Sequence, residues 1–382
     1  MTTAPYLIEP LVIPAAVDSA DAGDFLAVGE LCDAVTFETW GNLDRSATAE
    51  ARLQGWRDNA YRTVRLFFVR QEGQVVGSSW IRCDVQENLR SALLHVQVLK
   101  DFTGRGIGRT LLQHAQELAA AEGRTILQSF TEHPADFDDD APGLVRPATG
   151  AGGLPAEARG VRFALQAGYR LEQVERFSVL DLAAHAGGWD PLEREAVARS
   201  GGHYEMLSWT GRCPDELAEQ LAVLMSRMST DAPSGELSYD AERWDVARVR
   251  HVEDTWRRAG FVSLVAAARH RVSGELAGYS VLQLTPAKPW LADQDDTLVA
   301  AAHRGHRLGM LVKLANLRRL LAAYPAVKHV ITFNAAENDH MLAINVALGF
   351  VPAGYDGEWQ RAAGPGDPAE KDAAAQTTAA RH

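Results

Sequence analysis

Three aspartates crowd one short stretch, "LADQDDTLV", in which Asp293, Asp295 and Asp296 fall within four positions of an apolar run. Acids so placed can cap a strand entering solvent, or serve in proton transfer to and from a reacting group. Strand alternation puts Asp293 and Asp295 on one face and Asp296 on the other. A few residues later comes a glycine turn flanked by cations, "HRGHRLGMLVKL", and "KDFTGRGIGRTLL" is its counterpart some two hundred positions earlier. A strand, a glycine-rich turn and a helix bring unpaired backbone N–H groups and a helix N-terminus to one point, an arrangement suited to phosphate. Neither copy is a dinucleotide fingerprint, since Arg109 stands where GxGxxG needs its third glycine, and neither has the GxxxxGK of a nucleotide P-loop. A compact turn remains, flanked by Arg105 and Arg109 in the first copy and by Arg304, His306 and Arg307 in the second.

The elements that position these turns repeat. Gly73 and Gly274, Gly77 and Gly278, Gly104 and Gly305, and Gly108 and Gly309 share one spacing of 201 (274 − 73). Each half closes alike, with an apolar helix, a Gly-aromatic pair (Gly168-Tyr169, Gly349-Phe350) and a strand. There the spacing is 181 (349 − 168), so the first half carries a surplus, placed in the loop-like "TEHPADFDDDAPGLVRPATGAGGLPAEARG". Four glycine pairs in series around similar strand patterns indicate a duplication. In the first half "VRLFFVR", "QVVGSSWIRC" and "ALLHVQVL" read as strands. "RTLLQHAQELAAAEG" reads as a helix with Leu111, Leu112, Ala115, Leu118 and Ala119 on one face. The expected organisation is α/β, with domains at 1–183 and 204–362, a linker at 184–203 and a disordered tail at 363–382.

"TGRGIGRTLL" and "RGHRLGMLVKL" resemble the acyl-CoA-binding turn of the GNAT superfamily of N-acyltransferases: Arg or Gln, two residues, Gly, one residue, then Gly or Ala. The first copy offers Thr103, Gly106 and Gly108, and the second Arg304, Arg307 and Gly309, each departing at one position. "NAAENDHMLAINVALGF" is similar to the family's second signature, with Asn338 at its Asn. The resemblance implies two tandem GNAT domains, each a mixed, V-splayed sheet flanked by helices, organised as in mycothiol synthase. It implies acetyl-CoA as co-substrate, its diphosphate on Arg105, Gly106, Ile107, Gly108 and Arg109, or on Arg304, His306, Arg307, Leu308 and Gly309. Its acyl carbonyl would meet backbone N–H groups around Val98, or around Leu298 and Val299. It implies a base on the strand before the turn, for which Asp296, then Asp295, are the candidates in the second half. The family's Tyr general acid is replaced by Ala164 and Asn345. The first half offers only His95 on that strand, which reads as a core residue.

The expected activity is transfer of an acetyl group to a primary amine of a small molecule, with the second half catalytic. A degenerate acyl-CoA-binding protein and a protein-directed acetyltransferase are the alternatives. The segment "STDAPSGELSYD" is expected to line the second half's acceptor pocket. A formal charge of −12 argues against a non-specific nucleic-acid binder. No run of about 20 apolar residues is present to suggest a membrane span. Cys32, Cys83 and Cys213 lack the spacing of a disulfide framework or a zinc site, and no metal is expected. A cytoplasmic protein, monomeric or homodimeric, is the resulting expectation. The acids of "ADFDDDAP" read as a solvated loop.

Overall fold

The computed structural model describes residues 6–139 and 141–362; the expected tail at 363–382 lies outside them. In chain order the main elements are α1 (Gly23–Trp40), β1 (Arg62–Gln71), β2 (Gln74–Asp84), β3 (Ser91–Val98), α2 (Ile107–Ala121), β4 (Ile126–Pro134), α3 (Arg159–Gln166), β5 (Arg170–Asp181), α4 (Trp189–Ser200), β6 (Tyr204–Thr210), α5 (Ala218–Asp231), α6 (Val246–Arg258), β7 (Val262–His270), β8 (Leu276–Leu284), β9 (Leu291–Val299), α7 (Leu308–Ala323), β10 (His329–Ala335), α8 (Asp339–Leu348) and β11 (Val351–Ala362). None of the helices among the described residues is long and apolar enough to cross a membrane.

These elements form two compact units whose membership does not follow chain order. The first holds the described residues through Val174, together with Gly235–Tyr239 and those from Tyr355. The second holds Glu175–Ser234 and Asp240–Gly354. The division at 1–183 and 204–362 is therefore crossed at the closing strands. Paired strands satisfy backbone groups that would otherwise be left bare at a sheet edge. In the second unit β10 finds its partner in β5, from Ala335↔Glu175 to His329↔Asp181. In the first unit the far end of β11 is held by Trp359, whose indole N–H donates to the Thr131 hydroxyl at 2.8 Å. The expected linker at 184–203 is instead largely helix α4. Its Trp189 is buried in the second unit's core and donates to the Leu348 carbonyl at 2.9 Å. An indole seated there makes this segment part of the fold.

Within each unit the sheet is mixed. In the first, β1, β2 and β3 run antiparallel to one another, and β4 joins β3 in parallel. In the second, β6, β7, β8 and β9 do the same, and β10 joins β9 in parallel. Both parallel pairs are short. β3 and β4 are in register only over Ser91↔Ile126 to Leu93↔Gln128, and β9 and β10 only over Leu291↔His329 to Gln294↔Thr332. Beyond those points the strands part, leaving a gap in the middle of each sheet and directly before each turn.

The repeated glycines have a steric cause here. A Cβ on Gly77 would lie 3.2 Å from the Gln97 carbonyl oxygen and 3.0 Å from the Ile107 side chain; on Gly278 it would lie 2.7 Å from the Leu298 carbonyl oxygen. Only glycine lets this strand approach its neighbour so closely at the corner. Apolar residues fill both faces of the second unit's sheet. One cluster gathers Leu282, Ala292, Leu308, Val312 and Val330 under α7, and the other gathers Trp209, Val249, Tyr279 and Leu298 under α5 and α6.

Candidate active site

Each turn ends in a left-handed residue that caps the following helix: Gly106 at φ 90° before α2, and Arg307 at φ 58° before α7. Space beside Gly106 is open, with nothing within 4 Å of an added Cβ. Ile107 and Leu308, the first helical residues, are buried anchors. A Cβ added at Gly108 would lie 3.6 Å from Phe163 of α3, and one at Gly309 would lie 3.0 Å from Ile344 of α8, so each turn helix meets its closing helix beside a glycine. Asn338 caps α8, its side-chain oxygen accepting from the Met341 N–H at 3.3 Å.

Backbone direction decides which amides face the gaps. Leu99 N–H donates to Val76 O at 3.0 Å, toward β2, and Ala300 N–H donates to Ala277 O at 2.9 Å, toward β8. Amides alternate along a strand, so Val98 and Val299 direct their N–H groups into the gaps. Leu298, expected to share that role, turns its N–H back toward β8. Lys100 N–H, on the gap side of the first turn, already holds an anion: the Glu38 carboxylate accepts from it at 3.1 and 3.2 Å.

The flanking cations differ between the turns. Arg105 and Arg109 are exposed, and neither meets a carboxylate among the described residues. Arg105 donates to the Asp101 carbonyl at 2.8 Å and stacks over Phe102. Arg304, by contrast, pairs with Asp231 at 3.1 Å, and Arg307 with Glu195 at 2.8 Å. His306 lies against the ring of Tyr204 at 5.4 Å between centroids.

Asp295 and Asp296 sit where β9 leaves β10. A β-bulge falls here, because Ser280 pairs with Thr297 while Leu282 pairs with Gln294, leaving both aspartates opposite Val281. Bulges re-aim side chains, and this one separates the partners of the two acids. Asp296 accepts from the hydroxyl of the fully buried Tyr279 at 3.0 Å, and Asp295 accepts from Gln283 Nε2 at 3.2 Å. Solvent reaches the Asp295 carboxylate, yet protein surrounds it closely enough to strip much of its hydration. That desolvation, with the charges of Asp296 and Asp293, pushes Asp295 up to about 8. Desolvation raises Asp296 as well; the Tyr279 hydrogen bond pulls it down and Glu242 pushes it up. Such a pair can accept a proton near neutral pH.

Tyr279, Gln283 and Glu242 carried no motif that would mark them in the sequence. Two further groups were not singled out there either. Lys313 on α7 is buried, and desolvation lowers it to about 7; its only signal was a lysine inside an apolar helix. Asn334 on β10 had none. In the first unit, His95 is half-buried and stacked on Phe130 at 4.3 Å between centroids, and desolvation lowers it to about 4. Segment 229–240 divides between the units: Gly235–Tyr239 joins the first, where Ser238 hydrogen-bonds Gln128 and Gln360. Asp139 of the acidic loop accepts from the Tyr355 hydroxyl. No cluster of three metal-ligating side chains occurs among the described residues.

The acetyltransferase (GNAT) domain model matches residues 63–138. Among solved structures, a tandem GNAT protein from the clavulanic acid biosynthesis pathway is 26% identical with a TM-score of 0.70, over 94% of this chain and 99% of that one. The chain carries a GNAT acetyltransferase domain and has the organisation of a tandem GNAT protein. A GCN5-related N-acetyltransferase from Sphaerobacter thermophilus (15% identity, TM-score 0.57, 94% and 96% covered) shares the fold. So does a glucosamine N-acetyltransferase region of a fungal multi-domain β-N-acetylglucosaminidase (13%, 0.58, 94% and 38%). No curated protein sequence matches the chain. The matched family segment runs from β1 through the first gap and turn to the acidic loop, all within the first unit.

Proposed function

We propose that this tandem GNAT protein transfers an acetyl group from acetyl-CoA to a primary amine of a small molecule, with the chemistry in the second unit. The observation that carries this reading is the Asp295–Asp296 pair, raised in pKa and set at the bulge between the parted strands and the glycine turn. An amine reaches the enzyme as an ammonium ion. Two adjacent carboxyls attract it, and Asp296, oriented by Tyr279, takes its proton. The freed lone pair attacks the thioester carbonyl, whose oxygen finds the Val299 N–H directed into the gap. One such donor contributes roughly 3–4 kcal/mol in acyl-transfer enzymes. The diphosphate lies at the N-terminus of α7, drawing Arg304 and Arg307 from Asp231 and Glu195. Exposed ion pairs of that kind contribute about 0–1 kcal/mol, so their exchange for phosphate is easy.

The first unit has the freer cations, and the carboxyls beyond its last β3–β4 pair, Glu132 with Asp356 beside it, are both held by Arg45. It is read as a second, tighter acyl-CoA site. Release of free thiol from acetyl-CoA, measured across a panel of small amines, tests the proposal. Turnover with at least one primary amine is expected, falling at least about 100-fold in Asp296→Asn, the ordinary scale of general-base catalysis. Binding of acetyl-CoA with no turnover on any amine counts against it.

A further inference from the structure

The second unit contains a polar string that the reaction above does not use. Lys313 Nζ donates to Asn345 Oδ1 at 2.8 Å, and Asn345 Nδ2 donates to Asn334 Oδ1 at 2.6 Å. Lys313 and Asn345 are each 1% exposed, whereas Asn334 is only half-buried. Its direction is fixed by chemistry. An ammonium can only donate, so Asn345 must present its oxygen to Lys313 and its NH2 to Asn334. Asn334 must then present its oxygen inward and its own NH2 outward. No acceptor for that terminal NH2 occurs among the described residues.

The end of the string lies at the gap. Gln294↔Thr332 is the last pair between β9 and β10, and Asn334 and Asp296 each lie two residues beyond it, one on either strand. On its other side Asn334 is the register partner of Arg176 in β5, which puts both side chains on one face. Arg176 has its Nε and Nη2 buried with no acceptor among the described residues. Guanidinium N–H groups buried without a partner are costly, and here they stand beside a second unused donor. Both call for an anion.

We infer that Arg176 and Asn334 hold the negative charge of the departing thiolate, and that Lys313, acting through Asn345, is the positioning residue that turns Asn334 toward it. The inference rests on the reading of the second unit as the reaction centre. As the amine nitrogen bonds to the acyl carbon, the C–S bond breaks and its electron pair stays on sulfur. The ammonium's first proton rests on Asp296 and returns to solvent; the second, shed by nitrogen as the intermediate collapses, passes through water to the thiolate, which the two donors hold until it leaves as the thiol. The ammonium polarises the amide string and strengthens its last donor.

Steady-state thiol release with acetyl-CoA and an accepted amine tests this in Asn334→Ala, Arg176→Met, Lys313→Met and the double variant Asn334→Ala/Lys313→Met, each first checked for cooperative unfolding at or above the assay-safe range set by wild type. Asn334→Ala and Arg176→Met are expected to lower kcat about 100-fold with KM for acetyl-CoA changed less than about threefold, since only the transition state carries the charge. Lys313→Met is expected to lower kcat about tenfold and to add nothing to Asn334→Ala, because its effect passes through that residue. Wild-type kcat in Asn334→Ala, or a Lys313→Met loss that multiplies in the double variant, overturns the inference. Asp296→Asn separates the two levels. If it is inactive while Asn334→Ala is not, the inference alone falls. If it turns over like wild type, the reading of the second unit falls and the inference with it.

Discussion

The two units have one backbone plan and opposite furnishings at its centre. Both part a parallel strand pair, both turn at the same spaced glycines, and both start a helix at the turn. The positions one and two turns along that helix then diverge: Leu112 and Ala115 in the first unit stand where Lys313 and Asn316 stand in the second, at the same spacing of 201 (313 − 112). Ala164 of the first closing helix corresponds to Asn345 of the second. Opposite them, the uninterrupted β3 of one unit becomes the bulged, acid-bearing β9 of the other. A gap whose acids are already engaged, Glu38 by the Lys100 amide and Glu132 by Arg45, with free arginines at its mouth, is suited to holding an acyl carrier. A gap lined by ionisable and amide groups, its arginines already tethered to carboxylates, is suited to changing one. On the proposed function, duplication would let binding and chemistry be improved apart.

The largest effect should come from the turns. Arg105→Glu/Arg109→Glu removes two charge-assisted contacts of roughly 1.5 kcal/mol or more each, so calorimetric affinity for coenzyme A at the tighter site should fall at least about 100-fold. Arg304→Glu/Arg307→Glu should weaken only the other, weaker site, by about tenfold, because those arginines begin in ion pairs. The reverse ranking would break the comparison at its first point. Glu195→Ala sharpens it, and should lower KM for acetyl-CoA a few-fold by freeing Arg307.

Next in size is pH dependence. Asp296 must be ionised to act, and desolvation raises it, so kcat/KM should rise with pH through a midpoint above the ordinary carboxylate value. Glu242→Gln removes a charge that raises Asp296 and should move that limb to lower pH. Tyr279→Phe removes the bond that stabilises the carboxylate and should move it to higher pH. Each unit of displacement is roughly tenfold in rate on the limb. A midpoint near 4, unmoved by either variant, would place the base elsewhere.

Lys313→Met offers a smaller, thermodynamic test of the same contrast. Burial lowers Lys313 to about 7 from an ordinary value of 10.5, so between those values the unfolded chain binds the extra proton and wild-type stability rises with pH. Below about 7 the full penalty of the buried charge is present. The variant should therefore melt higher than wild type by a few degrees, and by more at pH 6 than at pH 9. Smallest of all, Arg307→Gly relieves a left-handed residue and should gain up to about 1 kcal/mol, part of it returned as chain entropy.

The repeat and both turns were legible in the sequence because they rest on glycine, and glycine at Gly77 and Gly278 answers to a steric demand that no other residue meets. Asp295 and Asp296 were visible as a cluster, but their separate partners were not, since the bulge depends on register between β8 and β9. Chain order suggested two successive domains. It could not reveal that β5 and β11 cross the expected boundary, because strand pairing is decided by which edge is open and not by proximity along the chain. The reading of 184–203 as a linker followed its polar composition and passed over Trp189, a large aromatic that the fold buries. Lys313, Asn334 and Arg176 come from three separate elements, and only the fold sets Asn334 between the amide string from Lys313 and its register partner Arg176.

The most direct test of catalysis in the second unit is steady-state thiol release by Asp295→Asn/Asp296→Asn, with acetyl-CoA binding followed in the same preparation. The expected result is turnover reduced at least about 100-fold while both acetyl-CoA sites still fill. Undiminished turnover in that variant, together with its loss in Arg105→Glu/Arg109→Glu, would contradict it and move the chemistry to the first unit.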